Sequence, residues 1–493
     1  MNHQLRAYPE YKDSGLRWLG TVPAHWECVR LRRVCQIQTG VTLGKKYDGI
    51  PLEERPYLRV ANVQNGYLNL KHVKRIGVPH AEATACELRH GDVVVTEGGD
   101  IDKLGRGAVW RGQIPGCIHQ NHIFAIRPQP SRLSSRFLAL VMESSYGRTY
   151  FQITAKKTTN LASTNRTTLG QFRLFLPPPE EQAVIADFLD ANAALVRKFI
   201  RNRRRLIDVL NQQKQAIINK AVTRGLDSSV PLTSSGIEWL GDVPSHWNIR
   251  RLRNVAELRV SNVDKHTLEG EIAVRLCNYT DVYKNSVITA NMSFMKATAT
   301  LDEIRAFHLH VGDVIITKDS EDWQDIGVPA LVAETADDLV CGYHLAILRP
   351  RPGAVTGPFL AYVLQCRGIV VQLSLAANGV TRYGLSHGAI KAISIPVPPT
   401  EKQEPIVKFI DDSVASLNQA IRFASREIEL MREYRTRLIA DVVTGKLDVR
   451  HLVSPPTSIE PEELTAFDDD EAPLEDLLED EENEPAEEAD DAD

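Results

Sequence analysis

The sequence predicts an α+β protein built twice: two β-rich mixed domains, each followed by one long α-helix, in a pseudo-two-fold internal repeat. Three observations predict this. Ser14–Val34 matches Ser235–Val255 at 13 of 21 positions. The same offset of 221 residues relates "LRHGDVVVT" (Leu88–Thr96) to "LHVGDVIIT" (Leu309–Thr317). An apolar seam of period 3.5 then closes each copy.

Each element follows from local chemistry. The opening "SGLRWLGTVPAHW" carries Trp18, His25 and Trp26, answered by Trp239, His246 and Trp247. Flanked by Gly and Pro, these rings are expected to strap the segment onto a sheet rather than to stack bases. In both copies Gly-Asp precedes an aliphatic run, the pattern of a tight turn feeding a buried strand. "HIFAIRP" (His122–Pro128) and "FRLFLPPP" supply further strands, and "HLAILRP" (His344–Pro350) repeats the first.

Proline clusters at Pro177–Pro179 and Pro398–Pro399 then start the helices. In the second copy Ile410, Val414, Leu417, Ile421, Ala424, Ile428, Met431, Arg435, Leu438 and Val442 step alternately by four and three. The first copy gives Leu189, Ala193, Val196, Ile200, Arg203, Ile207, Leu210, Lys214, Ile217 and Ala221. Such seams need apolar partners, and the simplest solution pairs the helices with each other. Arg203, Lys214 and Arg435 on the seam cost stability but fix register. "TRGLD" and "TGKLD" stop the helices. The expected boundaries are a β-rich domain at 1–178, a helix at 179–226, a second β-rich domain at 227–398, a second helix at 399–449, and an acidic disordered tail at 450–493.

Charge is distributed unevenly. Residues 451–493 hold 19 Asp/Glu and no Lys or Arg, so the remaining 450 residues carry 58 basic and 45 acidic side chains. The basic body points to a polyanionic partner. No apolar run is long enough to span a membrane, and no signal peptide opens the chain. Seven cysteines without a CxxC pair suggest reduced thiols and a cytoplasmic location. "CIHQNH" (Cys117–His122) lacks a second ligand pair at zinc spacing, so no metal is expected. "GVTLGKK" (Gly40–Lys46) lacks the spacing and the Ser/Thr of a phosphate loop.

"YKDSGLRWLGTVPAHWECVRL" and "SGIEWLGDVPSHWNIRRL" resemble the opening signature of specificity subunits of type I restriction–modification systems. "GDVVVTEGG", "GDVIITKD", "PPPEEQ", "PPTEKQ" and the two long helices extend the resemblance over residues 8–450, twice; the acidic tail departs from it. The resemblance implies two target recognition domains, each reading half of a split DNA sequence. It implies that the helices are spacers pairing as an antiparallel coiled coil. It implies binding of double-stranded DNA, two methyltransferase (modification) subunits and ATP-dependent translocase-nuclease (restriction) subunits. S-adenosylmethionine, ATP and Mg would then belong to those partners, with no cofactor and no catalytic residue in this chain. A stand-alone nuclease and a purely structural coiled-coil adaptor are the alternatives.

Candidate DNA contacts fall into two groups. Arg59/Asn62 and Arg275/Asn278 share an Arg-x-x-Asn spacing, and Arg suits guanine edges as Asn suits adenine edges. Being common to both copies, they are expected to hold phosphate or fold more than to read bases. Segments where the copies diverge are better readers: Lys103, Arg106, Lys156, Lys157, Thr159 and Asn160 in the first, and Lys318, Asn378, Arg382 and Tyr383 in the second. Lys and Arg would mainly hold phosphates, while Asn, Thr and Tyr would meet bases.

Overall fold

A computed structural model describes residues 6–101, 103–157 and 162–452. The expected tail beyond residue 452 and the candidates Thr159 and Asn160 lie outside the described residues, whereas residues 450–452, expected in the tail, are described and Leu452 packs in the first unit's core. The chain divides into two units, one of residues 1–203 with 426–493 and one of residues 204–425.

In the first unit, Gly91-Asp92 turns the chain into the fully buried strand Val93–Thr96. That strand lies inside an antiparallel sheet, in the order Cys35–Thr39, Ile123–Pro128, Val93–Thr96, Gly107–Val109. Helices Ser135–Glu143 and Ser145–Thr154 bury Phe137, Leu138, Val141 and Phe151 in its main core. A second sheet joins Leu52–Leu58 to Lys74–Pro79 and, in parallel, to Ile118–His119.

The second unit repeats the plan with one extra edge. Its order is Ala256–Val260, Leu345–Pro350, Val314–Thr317, Pro329–Val332, Val287–Ile288, beside Met295–Ala299, Ile272–Cys277 and Leu339–Cys341. Asp92 and Asp313, each 1% exposed, hold Arg127 and Arg349 of the neighbouring central strand through paired hydrogen bonds of 2.6–2.8 Å. The same carboxylates accept the Arg89 and His310 backbone N–H groups. This explains why Asp follows Gly in both copies: it caps the turn and neutralises a half-buried guanidinium.

The long helices run Pro179–Arg224 and Thr400–Val443. Every seam residue expected from the sequence is buried or half-buried. Within the first unit, Leu189 shares a core with Leu438 and Val442, while Arg203 pairs with Glu427 at 2.9 Å. Ascending one helix thus descends the other, and the pairing there is antiparallel. Within the second unit Ile218, Ala221 and Val222 share a core with Ile406, Ile410 and Val414. The basic seam residues are accommodated individually: Arg203 also packs on the Phe199 ring, Arg435 pairs with Glu143 at 2.6 Å, and burial lowers the Lys214 pKa. Each helix ends at a left-handed glycine, Gly225 (φ +70°) or Gly445 (φ +75°), as expected for a C′ position.

The "PPPEEQ" and "PPTEKQ" starts act as joints. Gln182 accepts the Ser134 N–H and donates to Arg132 and Pro177 carbonyls; Gln403 does the same with Thr356, Ala354 and Pro398. The opening signature packs as a strap: Trp26 is fully buried and Trp18 stacks on Tyr146 at 4.9 Å. Buried Glu181 receives Tyr8 Oη–H at 2.7 Å and Trp26 Nε1–H at 3.0 Å, with His25 Nε2 at 2.8 Å. The N-terminal stretch closes onto the far end of the second helix, where Arg6 bridges to Asp448.

Among the described residues no single helix is long and apolar enough to cross a membrane. The bent pair Gly357–Leu364 and Arg367–Ala376 approaches that length together, but Phe359, Leu360, Ile369 and Leu373 are core side chains.

Candidate nucleic-acid interface

Leaving the buried strand Val93–Thr96, the first-copy chain forms Gly98–Gly99, which pairs with Ala162–Ser163 and through it with Lys156–Lys157. The second copy builds the same device: Asp319–Ser320 pairs with Tyr383–Gly384, which pairs with Asn378–Gly379. Segments about sixty residues apart, where the copies differ most, thus converge on one small sheet per module.

Most divergent candidates sit on or beside these sheets. Lys156 and Lys157 are exposed. Lys103 and Arg106 form the loop after Gly98–Gly99; Thr96 holds it through Lys103 O and Arg106 O at 2.9 Å. Lys103 Nζ lies 3.2 Å from Asp100, and Arg106 reaches Gln64 at 3.5 Å. In the second module Lys318 Nζ contacts Asp319 at 3.1 Å, Asn378 is exposed and bonds Ala376 O, Arg382 is exposed, and Tyr383 packs against the core.

The Arg-x-x-Asn pairs read differently in three dimensions. His119 pairs with Leu58 and Cys341 with Cys277, so the residues following the equivalent strands are Arg59 and Asn278. Arg59 therefore corresponds to Asn278, and Asn62 to Asp281, whose carboxylate likewise accepts the backbone N–H three residues earlier. Asn62 is fully buried and donates to the Asn69 and His72 carbonyls, which leaves it no surface to offer a base. Arg275, inside its strand, is consumed by Asp338 at 2.7–2.9 Å and by Ala290 O. Asn278 caps the helix Tyr279–Lys284. Equal spacing in sequence arose here from unequal places in the fold: the Asn62 and Arg275 side chains are engaged within it, while Arg59 and Asn278 enter the turns through their backbone N–H groups.

"CIHQNH" also resolves into separate roles. Cys117 and His119 are core side chains, the thiol pushed up to about 12 and the imidazole down to about 4 by burial. His122 instead turns to Glu97, Nδ1 to Oε2 3.2 Å.

The second module makes the same contact with different residues. His344 Nδ1 lies 2.6 Å from Asp319 Oδ2. Neither histidine was singled out as a DNA candidate by sequence reasoning. The available signal was the shared His heading "HIFAIRP" and "HLAILRP". Tyr279 and Tyr283, stacked at 5.5 Å, add an aromatic edge near Ser320 and Asp325.

Comparison with known proteins places this architecture. The model of the type I restriction modification DNA specificity domain matches twice, at residues 23–212 and 244–427. A Methanocaldococcus jannaschii protein assigned as the MjaX type I restriction enzyme specificity subunit is 22% identical over 452 residues, covering 89% of this chain and 98% of its own. The EcoKI specificity subunit of Escherichia coli (strain K12) is 20% identical, covering 91% of this chain and 94% of its own. A solved chain from work on complex assembly and conformational transition of the type I R-M system shares the fold. Its TM-score is 0.61 at 18% identity, over 86% of this chain and 99% of that one. The chain belongs to the family of type I restriction–modification DNA specificity subunits, proteins of DNA sequence recognition.

Proposed function

We propose that this chain reads a bipartite, asymmetric double-stranded DNA target, one half per module, and is itself non-catalytic. The carrying observation is the pair of small sheets: each module keeps a common frame and gathers its divergent segments there. Lys103, Arg106, Lys156, Lys157 and Thr159 with Asn160, and Lys318, Asn378, Arg382 and Tyr383, are the proposed contacts.

Specificity subunits of type I systems are generally non-catalytic. Flipping and methylating a base needs a donor pocket. S-adenosylmethionine, ATP and Mg would belong to methyltransferase and translocase-nuclease partners. Two equivalent faces on one chain suit two identical methyltransferases. Apolar side chains left exposed on the helices offer docking points: Leu430 and Tyr434 in the first unit, Val209 and Phe423 in the second. A stand-alone nuclease is disfavoured because Lys318 and Asp319, its nearest mimic, neutralise each other.

Exchanging residues 14–178 for the matching part of a relative, with a methyltransferase partner present, is expected to change only one half of the methylated sequence. Sequencing methylated DNA checks this; altered bases in both halves would refute independent reading. Deleting residues 454–493 removes all 19 acidic side chains of the tail. Nonspecific DNA binding by the truncated chain is expected to strengthen several-fold at low salt, with folding intact. Gel shifts across a salt series test it, and unchanged or weaker binding refutes competition by the tail.

A further inference from the structure

We infer that each module holds a DNA phosphate through a histidine–carboxylate pair, His344–Asp319 in the second and His122–Glu97 in the first, so that DNA binding takes up protons. This rests on the DNA-recognition reading above.

His344 has φ 67°, the one left-handed non-glycine residue among those described. Such backbone persists only where its surroundings fix it, and it concentrates at functional positions. Here the Lys318 N–H donates to His344 O at 2.8 Å, Asp319 Oδ2 lies on Nδ1 at 2.6 Å, and the Tyr343 ring lies 4.0 Å away. In the first module the Glu97 N–H donates to His122 O at the same 2.8 Å, and Glu97 Oε2 meets Nδ1 at 3.2 Å. The acid comes from a different strand position in each copy, yet it reaches the same ring nitrogen. Both pairs adjoin the small sheets.

The chemistry follows from which nitrogen is engaged. With Nδ1–H directed at the carboxylate, neutral imidazole presents Nε2 as an acceptor, which repels a phosphate. Protonation makes Nε2–H a donor, and the charged ring then bridges its own carboxylate and a phosphate oxygen. Asp319 also carries Lys318 Nζ at 3.1 Å, so the protonated group presents one net positive charge. A contact shared by modules that read different sequences suits the sequence-independent backbone.

Among the described residues His344 meets Asp319 and Tyr343, with Lys318 on the same carboxylate, and His122 meets Glu97. Ordinary carboxylates, lysine, arginine and tyrosine keep their charge state between pH 6 and 8, whereas imidazole does not.

The test is fluorescence anisotropy of the full chain on a fixed nonspecific duplex at constant ionic strength. Phosphate favours the protonated ring, so affinity rises as pH falls. We expect binding about tenfold tighter or more at pH 6 than at pH 8, because each of the two pairs contributes up to a factor of ten for one unit of pKa rise on binding. H344N and H122N should each remove part of that slope and the double variant all of it. Asn tolerates the left-handed backbone at 344 and its amide can meet the carboxylate. Calorimetry of wild-type chain in two buffers of different ionisation enthalpy should independently record proton uptake. A pH-independent wild-type affinity, no proton uptake, or a full slope in the double variant overturns the inference. Absence of DNA binding at every pH would overturn the recognition reading as well.

Discussion

Inserting one heptad after Arg203 and a matching heptad after Ser425 is expected to lengthen the unread spacer between the two half-sequences by about three base pairs. A heptad adds about 10 Å of helix at 1.5 Å per residue and keeps a 3.5-residue seam in phase. DNA advances about 34 Å per turn of 10–10.5 base pairs, which sets the conversion. The insertion point comes from the structure. Arg203 pairs with Glu427, and the two units meet in sequence between 203 and 204 and between 425 and 426. Matched insertions there leave that ion pair and both cores intact, whereas lengthening one helix alone would shift its partner's register. Methylation mapping with partner subunits reads the result. An active mutant that keeps its original spacer, or that recognises new bases, removes the helices from the role of ruler.

Asp313→Ala is expected to destabilise the second unit by about 3–5 kcal/mol, the usual consequence of stripping one partner from a buried ion pair. Arg349 would keep a half-buried guanidinium with only His308 O remaining, and the His310 N–H at the turn would lose its acceptor. Arginine stays protonated in proteins whatever its partners, so Arg349 cannot escape by losing its proton once Asp313 is gone. Urea unfolding should show an early transition in the second unit, and methylation should lose specificity for one half-sequence while the other survives. A loss under about 1 kcal/mol would mean that water solvates Arg349 well enough to make the pair dispensable.

The seam was legible because periodicity survives in one dimension: both ten-residue series are buried or half-buried in the folded chain. The Gly-Asp strands were legible for a similar reason, a local turn followed by an aliphatic run. Arg203 and Arg435 could be marked as unusual on the seam, but not matched to Glu427 and Glu143, which chain topology brings to them. The Arg-x-x-Asn pairs, expected to serve phosphate or fold more than base readout, are not equivalent in the fold. Their spacing is equal, yet one starts after a strand and the other within it. The histidine–carboxylate pairs were hidden because each joins residues 25 apart, with Glu in one module and Asp in the other. Divergence between copies did locate the small sheets, since segments that must differ chemically stand out against a repeated frame.

The closure of Arg6 on Asp448 has a consequence for the order in which the chain matures. Residues 204–425 form one continuous unit, whereas the first unit needs 426–452 to cover Leu189 and Trp26 with Leu438, Val442 and Val449. During synthesis the N-terminal module leaves the ribosome first, yet its core is finished only after the second module has been made. For most of translation that apolar face waits without its lid, the condition under which nascent chains aggregate or recruit chaperones. Contacts separated by more than 400 residues also make closure slow, because their ordering entropy is spent before they form. Residues 446–452 are thus placed after the second module is made and lock the first module shut.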